Sequence, residues 1–157
     1  RCIGHVISVN DSGEMVNPIF GDFMAGAGEP YATHGYEMML TRVDAEDEDE
    51  AYRSLKAGYI IADDAPKTIA DGLLVPLKER TWHFVSNHVT EIFTASEEEI
   101  IDAMKLTWKH LRIVMEASCA VPLACILKNP EFFAGKRVGV IVTGGNVDLD
   151  RLPWLAA

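Results

Sequence analysis

RVGVIVT, residues 137–143, is the stretch that decides the predicted fold, and two glycines follow it directly. It is a continuous apolar and largely β-branched run, which is typical of a strand covered on both faces in a parallel sheet. Two helical segments precede it: one begins with the capping-box pair Ser96 and Glu99, and the other, residues 118–127, is almost wholly apolar. Helices that alternate with buried strands predict an α/β protein with a parallel sheet.

The rest of the chain gives weaker local signals. Between the acidic run of residues 44–50 and the helix that begins at Ser96, the pattern predicts three elements. They are a helix over 51–57 that ends at Gly58, a helix over 81–88 and a strand over 91–94. The predicted apolar face of the helix after Ser96 comprises residues 100, 101, 103, 104, 106, 108 and 111. Before the acidic run we predict strands over 3–9 and 14–19, a turn over 10–13 and a short helix over 36–43.

Composition limits the classes of function. The 157 residues suit one domain, and 24 acidic against 14 basic residues disfavour binding to nucleic acid, which needs clustered Lys and Arg. No apolar run reaches the roughly 18 residues of a membrane-spanning helix. Three cysteines without a CxxC pair indicate a reducing, cytoplasmic setting with no disulfide framework and no zinc site. The chain begins with Arg1 rather than Met, and no basic-then-apolar stretch there suggests a signal peptide, so we expect a cut, processed or incomplete start.

Thr143, Gly144, Gly145 and Asn146 form the sharpest local feature of the sequence. Ligands of open α/β sheets bind beyond the carboxyl ends of strands, and glycines there let the backbone approach a ligand closely. The alternative is an ordinary tight turn that closes a strand. Glu116, between two apolar segments, is either a structural acid with a partner or a residue of a site.

The other chemistry-bearing residues leave alternatives open. The acidic run 44–50 is either a solvated surface or a site for a hard cation, although it lacks the glycine and the spacing of an EF-hand. Cys119 and Cys125 lie in the apolar helix and are predicted to be small core side chains. GxSxG, HExxH and Walker motifs are absent from the sequence.

Five stretches resemble, in the same order, the C-terminal part of the pyridoxal-phosphate serine/threonine dehydratase family, in its serine racemase and 3-hydroxyaspartate dehydratase branch. They are AYRSLKAG (51–58), TIADGL (68–73), VTEIFTASEEEI (89–100), VMEASCAVPLA (114–124) and VGVIVTGGNVDL (138–149). The resemblance implies part of a fold-type II enzyme, a three-layer α/β sandwich around a parallel sheet. It assigns residues 44–157 to the C-terminal part of that domain and leaves residues 1–43 unassigned. It also implies that the C-terminus is complete.

The resemblance implies a pyridoxal phosphate site. Thr143 matches the position whose hydroxyl contacts the pyridine nitrogen of the cofactor, and a neutral partner there favours β-elimination of water. The residues that match other cofactor contacts are Gly144, Gly145 and Asn146 beside the ring, Glu116 near the ring, and Gly72.

The resemblance also implies a divalent-metal site in the acidic run, for Mg²⁺ or Ca²⁺. Its ligands are Asp44, the carbonyl of Glu48, and Glu50. The family more often has Glu at the first of these positions and Asp at the last, so the two acids are exchanged here.

No lysine of this chain has the context of the family's Schiff-base lysine, so no catalytic residue is assigned. The implied function is a portion of an ammonia-lyase that eliminates water from serine, threonine or 3-hydroxyaspartate. The implied partners are an amino-acid substrate and either a second copy in a homo-oligomer (a dimer) or a missing N-terminal half, with no nucleic acid and no membrane. The alternatives are a non-catalytic α/β remnant that binds a divalent cation or a partner subunit, and a phosphate-ligand binder acting through Gly144 and Gly145.

Overall fold

The computed structural model describes residues 2–5, 26, 30, 33–43, 50–61, 67–74 and 77–155. The turn predicted over 10–13 and the strand predicted over 14–19 lie outside the described residues. The elements in chain order are β1 (Cys2–His5), β2 (Glu37–Val43), α1 (Glu50–Ala57), α2 (Glu79–His88), β3 (Val89–Ala95), α3 (Glu97–Leu111), α4 (Ala117–Lys128), α5 (Pro130–Phe133) and β4 (Val138–Val140). Two short 3-10 helices cover Asp71–Leu73 and Leu149–Arg151.

The described strands form one parallel sheet in the order β3-β2-β1-β4. In its register, Ile3 of β1 lies opposite Met38 of β2 on one side and Gly139 of β4 on the other. Parallel neighbours need crossover connections, and between β2 and β3 the helices α1 and α2 lie in that connection. The predicted α/β class with a parallel sheet is therefore confirmed.

Apolar clusters cover both faces of the sheet at β2 and β3. On one face Val43 and Ala95, which end β2 and β3, pack with buried residues of α3 and α4. On the other face Met38, Leu40 and Ile92 pack with residues of α1 and α2. Successive strand residues point to opposite faces, so one strand supplies both clusters. The result is the predicted three-layer sandwich.

The short helix predicted over 36–43 is wrong, because Glu37–Val43 is strand β2. Its methionines and leucine are good helix formers, which made a helix plausible locally. In the fold β2 lies between β1 and β3, and Met38, Met39 and Leu40 are buried. Pairing on both edges and burial on both faces decide its state in place of intrinsic propensity.

The strand predicted over 137–143 forms only in part. The ladder covers Val138–Val140, and Val140 and Val142 are 36% and 47% exposed rather than covered on both faces. β4 pairs with β1 and lies at the edge of the described sheet, so within this part of the chain it has a neighbour on one side.

The helix end predicted at Gly58 and the helix start predicted at Ser96 are both confirmed. α1 ends before Gly58, whose φ of +81° lies in the left-handed region that glycine adopts without steric cost. α3 begins with a complete capping box, in which Ser96 accepts the Glu99 N–H and Glu99 accepts the Ser96 N–H.

The broad apolar face predicted for α3 is wrong at its far end. The buried stripe is narrower and consists of Ile100, Ala103, Met104 and Thr107. Leu106, Trp108 and Leu111, predicted to lie on the same face, are exposed at 37%, 47% and 65%. A stripe at i, i+3, i+4 and i+7 is what one neighbouring helix covers, and here that helix is α4.

Candidate active site

The residues 143–146 form a loop that lies against the N-terminal end of α4. The Glu116 N–H donates to the Gly144 carbonyl at 3.3 Å, and the Asn146 N–H donates to Glu116 Oε2 at 3.2 Å. Glu116 is the N-cap residue of α4, and its side chain makes no cap bond to its own helix. Its carboxylate is therefore used by the loop, next to a helix end that favours negative charge.

Cys119 fixes the first half of the loop. The Thr143 and Gly144 N–H groups both donate to its Sγ at 3.2 Å, and Thr143 Oγ1 lies 3.2 Å from the same sulfur. The prediction of a buried core cysteine is confirmed, since Cys119 is fully buried in the core cluster, but the contact with the loop was missed. Residues 119 and 143 are 24 positions apart, and no local pattern signals their contact.

The two glycines of the loop leave no room for side chains. A Cβ on Gly144 would lie 2.5 Å from Glu116 Oε2, and one on Gly145 would lie 3.0 Å from the Val114 carbonyl oxygen. The loop can therefore pack on residues 114–116 only with its backbone.

Gly72 reaches the same end of α4 from another segment. It is buried, and its N–H donates to Ser118 Oγ at 3.1 Å and to Asp71 Oδ1 at 2.8 Å. α4 begins at Ala117, and Ser118 in its first turn is a fully buried acceptor for Gly72. The structure thus brings together, around the first turn of α4, the predicted residues Thr143, Gly144, Gly145, Asn146, Glu116 and Gly72.

The segment that carries Gly72 is attached to α3 as well. Both Glu97 carboxylate oxygens are used, one by the Thr68 hydroxyl and the other by the Ile69 N–H. Glu97 lies in the first turn of α3, where a carboxylate also suits the helix dipole. Gly72 is thereby held between the N-terminal ends of α3 and α4.

The predicted metal ligands are not brought together by the described part of the chain. Asp44 and Glu48 lie outside the described residues. Glu50 is buried at the start of α1, and its Oε1 accepts the Leu77 N–H. Within the described ranges, no group of three or more His, Cys, Asp or Glu is placed to hold a metal ion.

Four lysines contact parts of the molecule away from the loop 143–146. Lys56 pairs with Glu91 and Lys105 with Asp102, and the Lys136 ammonium lies 3.5 Å from the Phe132 ring centroid. Lys128, the last residue of α4, pairs with Glu99. At a rise of 1.5 Å per residue, the two ends of α4 are about 16 Å apart, so Lys128 is far from the loop 143–146.

Comparison with known proteins decides the family. The sequence profile of the family described as "Pyridoxal-phosphate dependent enzyme" matches residues 20–144. This chain belongs to that family. The resemblance of the five quoted stretches is thereby confirmed, and the match includes four of the six residues at the loop and helix end: Gly72, Glu116, Thr143 and Gly144.

Individual relatives of this pyridoxal-phosphate family member agree. The chain is 70% identical over 141 residues to the beta-hydroxyaspartate dehydratase of Paracoccus denitrificans, covering 89% of this chain and 45% of that protein. It is 41% identical over 109 residues to the serine racemase of Dictyostelium discoideum, and the match covers 66% of this chain and 33% of that protein. The structure of maize serine racemase matches with a TM-score of 0.74 at 28% identity, covering 99% of this chain and 45% of that chain.

The chain therefore spans less than half the length of these relatives. The fold-type II architecture predicted from the resemblance is confirmed as a part of that fold. The division between residues 1–43 and 44–157 stays a prediction; β2, which ends at Val43, belongs to the same sheet as β3 and β4. Among the described helices, none is long and apolar enough to cross a membrane.

Proposed function

We propose that this chain is the cofactor-contacting portion of a pyridoxal-phosphate-dependent ammonia-lyase that eliminates water from a β-hydroxy amino acid. The observation that carries the proposal is the convergence of Gly72, Glu116 and the loop 143–146 on the first turn of α4. The identity of 70% to a beta-hydroxyaspartate dehydratase favours 3-hydroxyaspartate over serine and threonine as the substrate.

The residues present fit the cofactor. Thr143 is exposed at the carboxyl end of β4, where ligands of parallel sheets bind. The Cβ positions of Gly144 and Gly145 face Glu116 and the Val114 carbonyl, so the two glycines let the loop backbone pack closely on the start of α4 beneath the place proposed for the ring. In the bound state pyridoxal phosphate supplies an electron sink for bonds at the substrate α-carbon.

In the proposed enzyme, the role of this chain is to hold and orient the cofactor. The Thr143 hydroxyl would contact the ring nitrogen, and because a hydroxyl is neutral it would leave that nitrogen largely unprotonated. Gly144, Gly145 and Asn146 would line the ring, Glu116 would fix Asn146 by accepting its N–H, and Gly72, which donates to Ser118, would brace the first turn of α4. A weaker electron sink favours rapid loss of the β-hydroxyl over routes that need a long-lived carbanion.

The lysine that binds the cofactor would come from another polypeptide segment. We assign the contact with that segment to the edge strand β4, since Val140 and Val142 are exposed although RVGVIVT is typical of a covered strand. A neighbour placed there would reach the sheet edge that carries Thr143. A homo-oligomer and a cytoplasmic setting also stay part of this proposal. The buried Cys119 and Cys125 are in the reduced, thiol form that a reducing compartment maintains.

The test of the function is reconstitution. The 157-residue chain is mixed with pyridoxal phosphate and 3-hydroxyaspartate, alone and with the lysine-bearing N-terminal portion of the Paracoccus relative, and ammonia release is measured. The expected result is no release from the chain alone and release on adding the second segment, reduced by Thr143→Ala. Absence of ammonia release from the mixture would contradict the proposal and favour the non-catalytic remnant.

The divalent-cation site at Asp44, the Glu48 carbonyl and Glu50 also stays a proposal of ours. Carboxylate and carbonyl oxygens at short spacing are the ligands that Mg²⁺ and Ca²⁺ prefer. Calorimetric titration of both ions into wild type, Glu50→Gln and the matched variant Glu46→Gln of the same run decides it. A heat of ion binding that disappears in Glu50→Gln but remains in Glu46→Gln supports the site. Equal heats of ion binding in all three proteins contradict it.

A further inference from the structure

The sulfur of Cys119 has more polar neighbours than its place in an apolar helix requires. It accepts the N–H groups of Thr143 and Gly144 and lies 3.2 Å from Thr143 Oγ1, while the residue as a whole is fully buried. Thr143 is the residue that the proposed function places on the cofactor ring. Cys119 is thus the buried group directly behind it.

The hydrogen-bond inventory assigns a direction to the contact between the two side chains. A thiol has one hydrogen, and its sulfur already accepts two N–H donors from the backbone. The remaining partner is Thr143 Oγ1, which can accept the thiol hydrogen. The hydroxyl hydrogen of Thr143 is then left for an acceptor on the exposed side of the loop.

We propose that Cys119 is a positioning residue that donates its thiol hydrogen to Thr143 Oγ1 and so directs the Thr143 hydroxyl hydrogen toward the cofactor nitrogen. The direction toward the cofactor rests on the proposed function, whereas the contact itself does not. Cys119 touches neither substrate nor cofactor and acts through Thr143.

Substitution separates this role from simple packing. Cys119→Ser keeps an acceptor for both N–H groups and a donor for Oγ1, whereas Cys119→Ala removes both. Cys125→Ala is a matched control, because Cys125 is an equally buried cysteine of the same helix, six residues further on. Thermal unfolding of all three variants shows how much of any effect is general destabilisation.

The first test needs no cofactor. The χ1 rotamer of Thr143 is measured in the 157-residue chain from three-bond couplings to its methyl carbon. We expect one rotamer in wild type, Cys119→Ser and Cys125→Ala, and averaging between rotamers in Cys119→Ala. A single unchanged rotamer in Cys119→Ala overturns the proposal, whether or not the chain binds pyridoxal phosphate.

The second test is a double-mutant cycle on pyridoxal phosphate affinity, in the reconstituted protein. Cys119→Ala is expected to raise the Kd for pyridoxal phosphate about tenfold when Thr143 is present, because contacting residues are coupled. In the Thr143→Ala background the same substitution is expected to raise the Kd less than about threefold. Equal factors in both backgrounds show that Cys119 does not act through Thr143 and overturn the proposal. Absence of binding in wild type removes the proposed function, and the rotamer measurement then decides the contact alone.

Discussion

Gly144 is the residue at which the packing of the candidate site is tightest. A Cβ there would meet the carboxylate of Glu116, which is a side chain and can move, whereas a Cβ on Gly145 would meet the backbone carbonyl of Val114. The two glycines are therefore required for different reasons. The first keeps Glu116 bonded to Asn146, and the second keeps the loop in contact with the chain before α4.

Gly144→Ala should displace the Glu116 carboxylate and break its bond to the Asn146 N–H. The expected cost is about 1–3 kcal/mol of unfolding free energy, from overpacking and a lost charge-assisted bond. Urea denaturation measures it, with Gly26→Ala as control because no atom of the described residues lies within 4 Å of a Cβ placed there. In a Glu116→Ala background the cost of Gly144→Ala should fall, and an undiminished cost would contradict the contact.

Cys119 and Ser118 mark the limit of what could be predicted for the site. The six residues carried over from the family resemblance do meet, since each matches a family motif by type and order. The two side chains that join them make contacts across 24 and 46 positions of sequence. In a lone sequence each is one polar residue in an apolar helix, and its partner becomes visible only when the elements pack.

At the scale of elements, local chemistry predicted some boundaries and non-local pairing overruled others. α3 begins where its Ser96–Glu99 box predicts and α1 ends at Gly58, because those signals act within one helical turn. β2 was misread as a helix because its state depends on the two strands beside it. β4 was predicted to be covered on both faces from its apolar, β-branched composition, but at the edge of the described sheet Val140 and Val142 are exposed.

Ser96→Ala should destabilise the start of α3 by about 1 kcal/mol, since the Glu99 N–H loses its side-chain acceptor. The effect should extend to the candidate site, because Glu97 of the same turn holds Thr68 and Ile69. Urea denaturation gives the free energy, and amide exchange at Gly72 reports the coupling. Ser86→Ala, at an exposed serine of α2, is the matched control and should leave both measurements unchanged. An equal loss in both variants would show that the box contributes nothing specific.

At the scale of the molecule, the exposed edge strand β4 is the feature that the described fold leaves unexplained. Val142 is 47% exposed beside the candidate site. Under the proposed function, a lysine-bearing segment covers this edge and completes the sheet. The three-layer core of α1–α4 around β2 and β3 is closed without it.

Val142→Lys should therefore change unfolding of the 157-residue chain by less than about 0.5 kcal/mol, as is usual for exposed positions. It should nevertheless weaken association with the lysine-bearing segment, because a charge would be buried in the new contact. Leu127→Lys, at a residue 52% exposed near the C-terminal end of α4, is the control and should leave association intact. Association is followed by light scattering or calorimetry, and equal affinities for both variants would place the contact elsewhere.

The central claim is that Thr143 contacts the cofactor at the end of β4. The most direct measurement is a crystal structure of the chain assembled with its lysine-bearing segment and pyridoxal phosphate. The account predicts that Thr143 Oγ1 lies within hydrogen-bond distance of the ring nitrogen, at about 2.7–3.2 Å. A ring bound away from the loop 143–146, or with another side chain on that nitrogen, would contradict it.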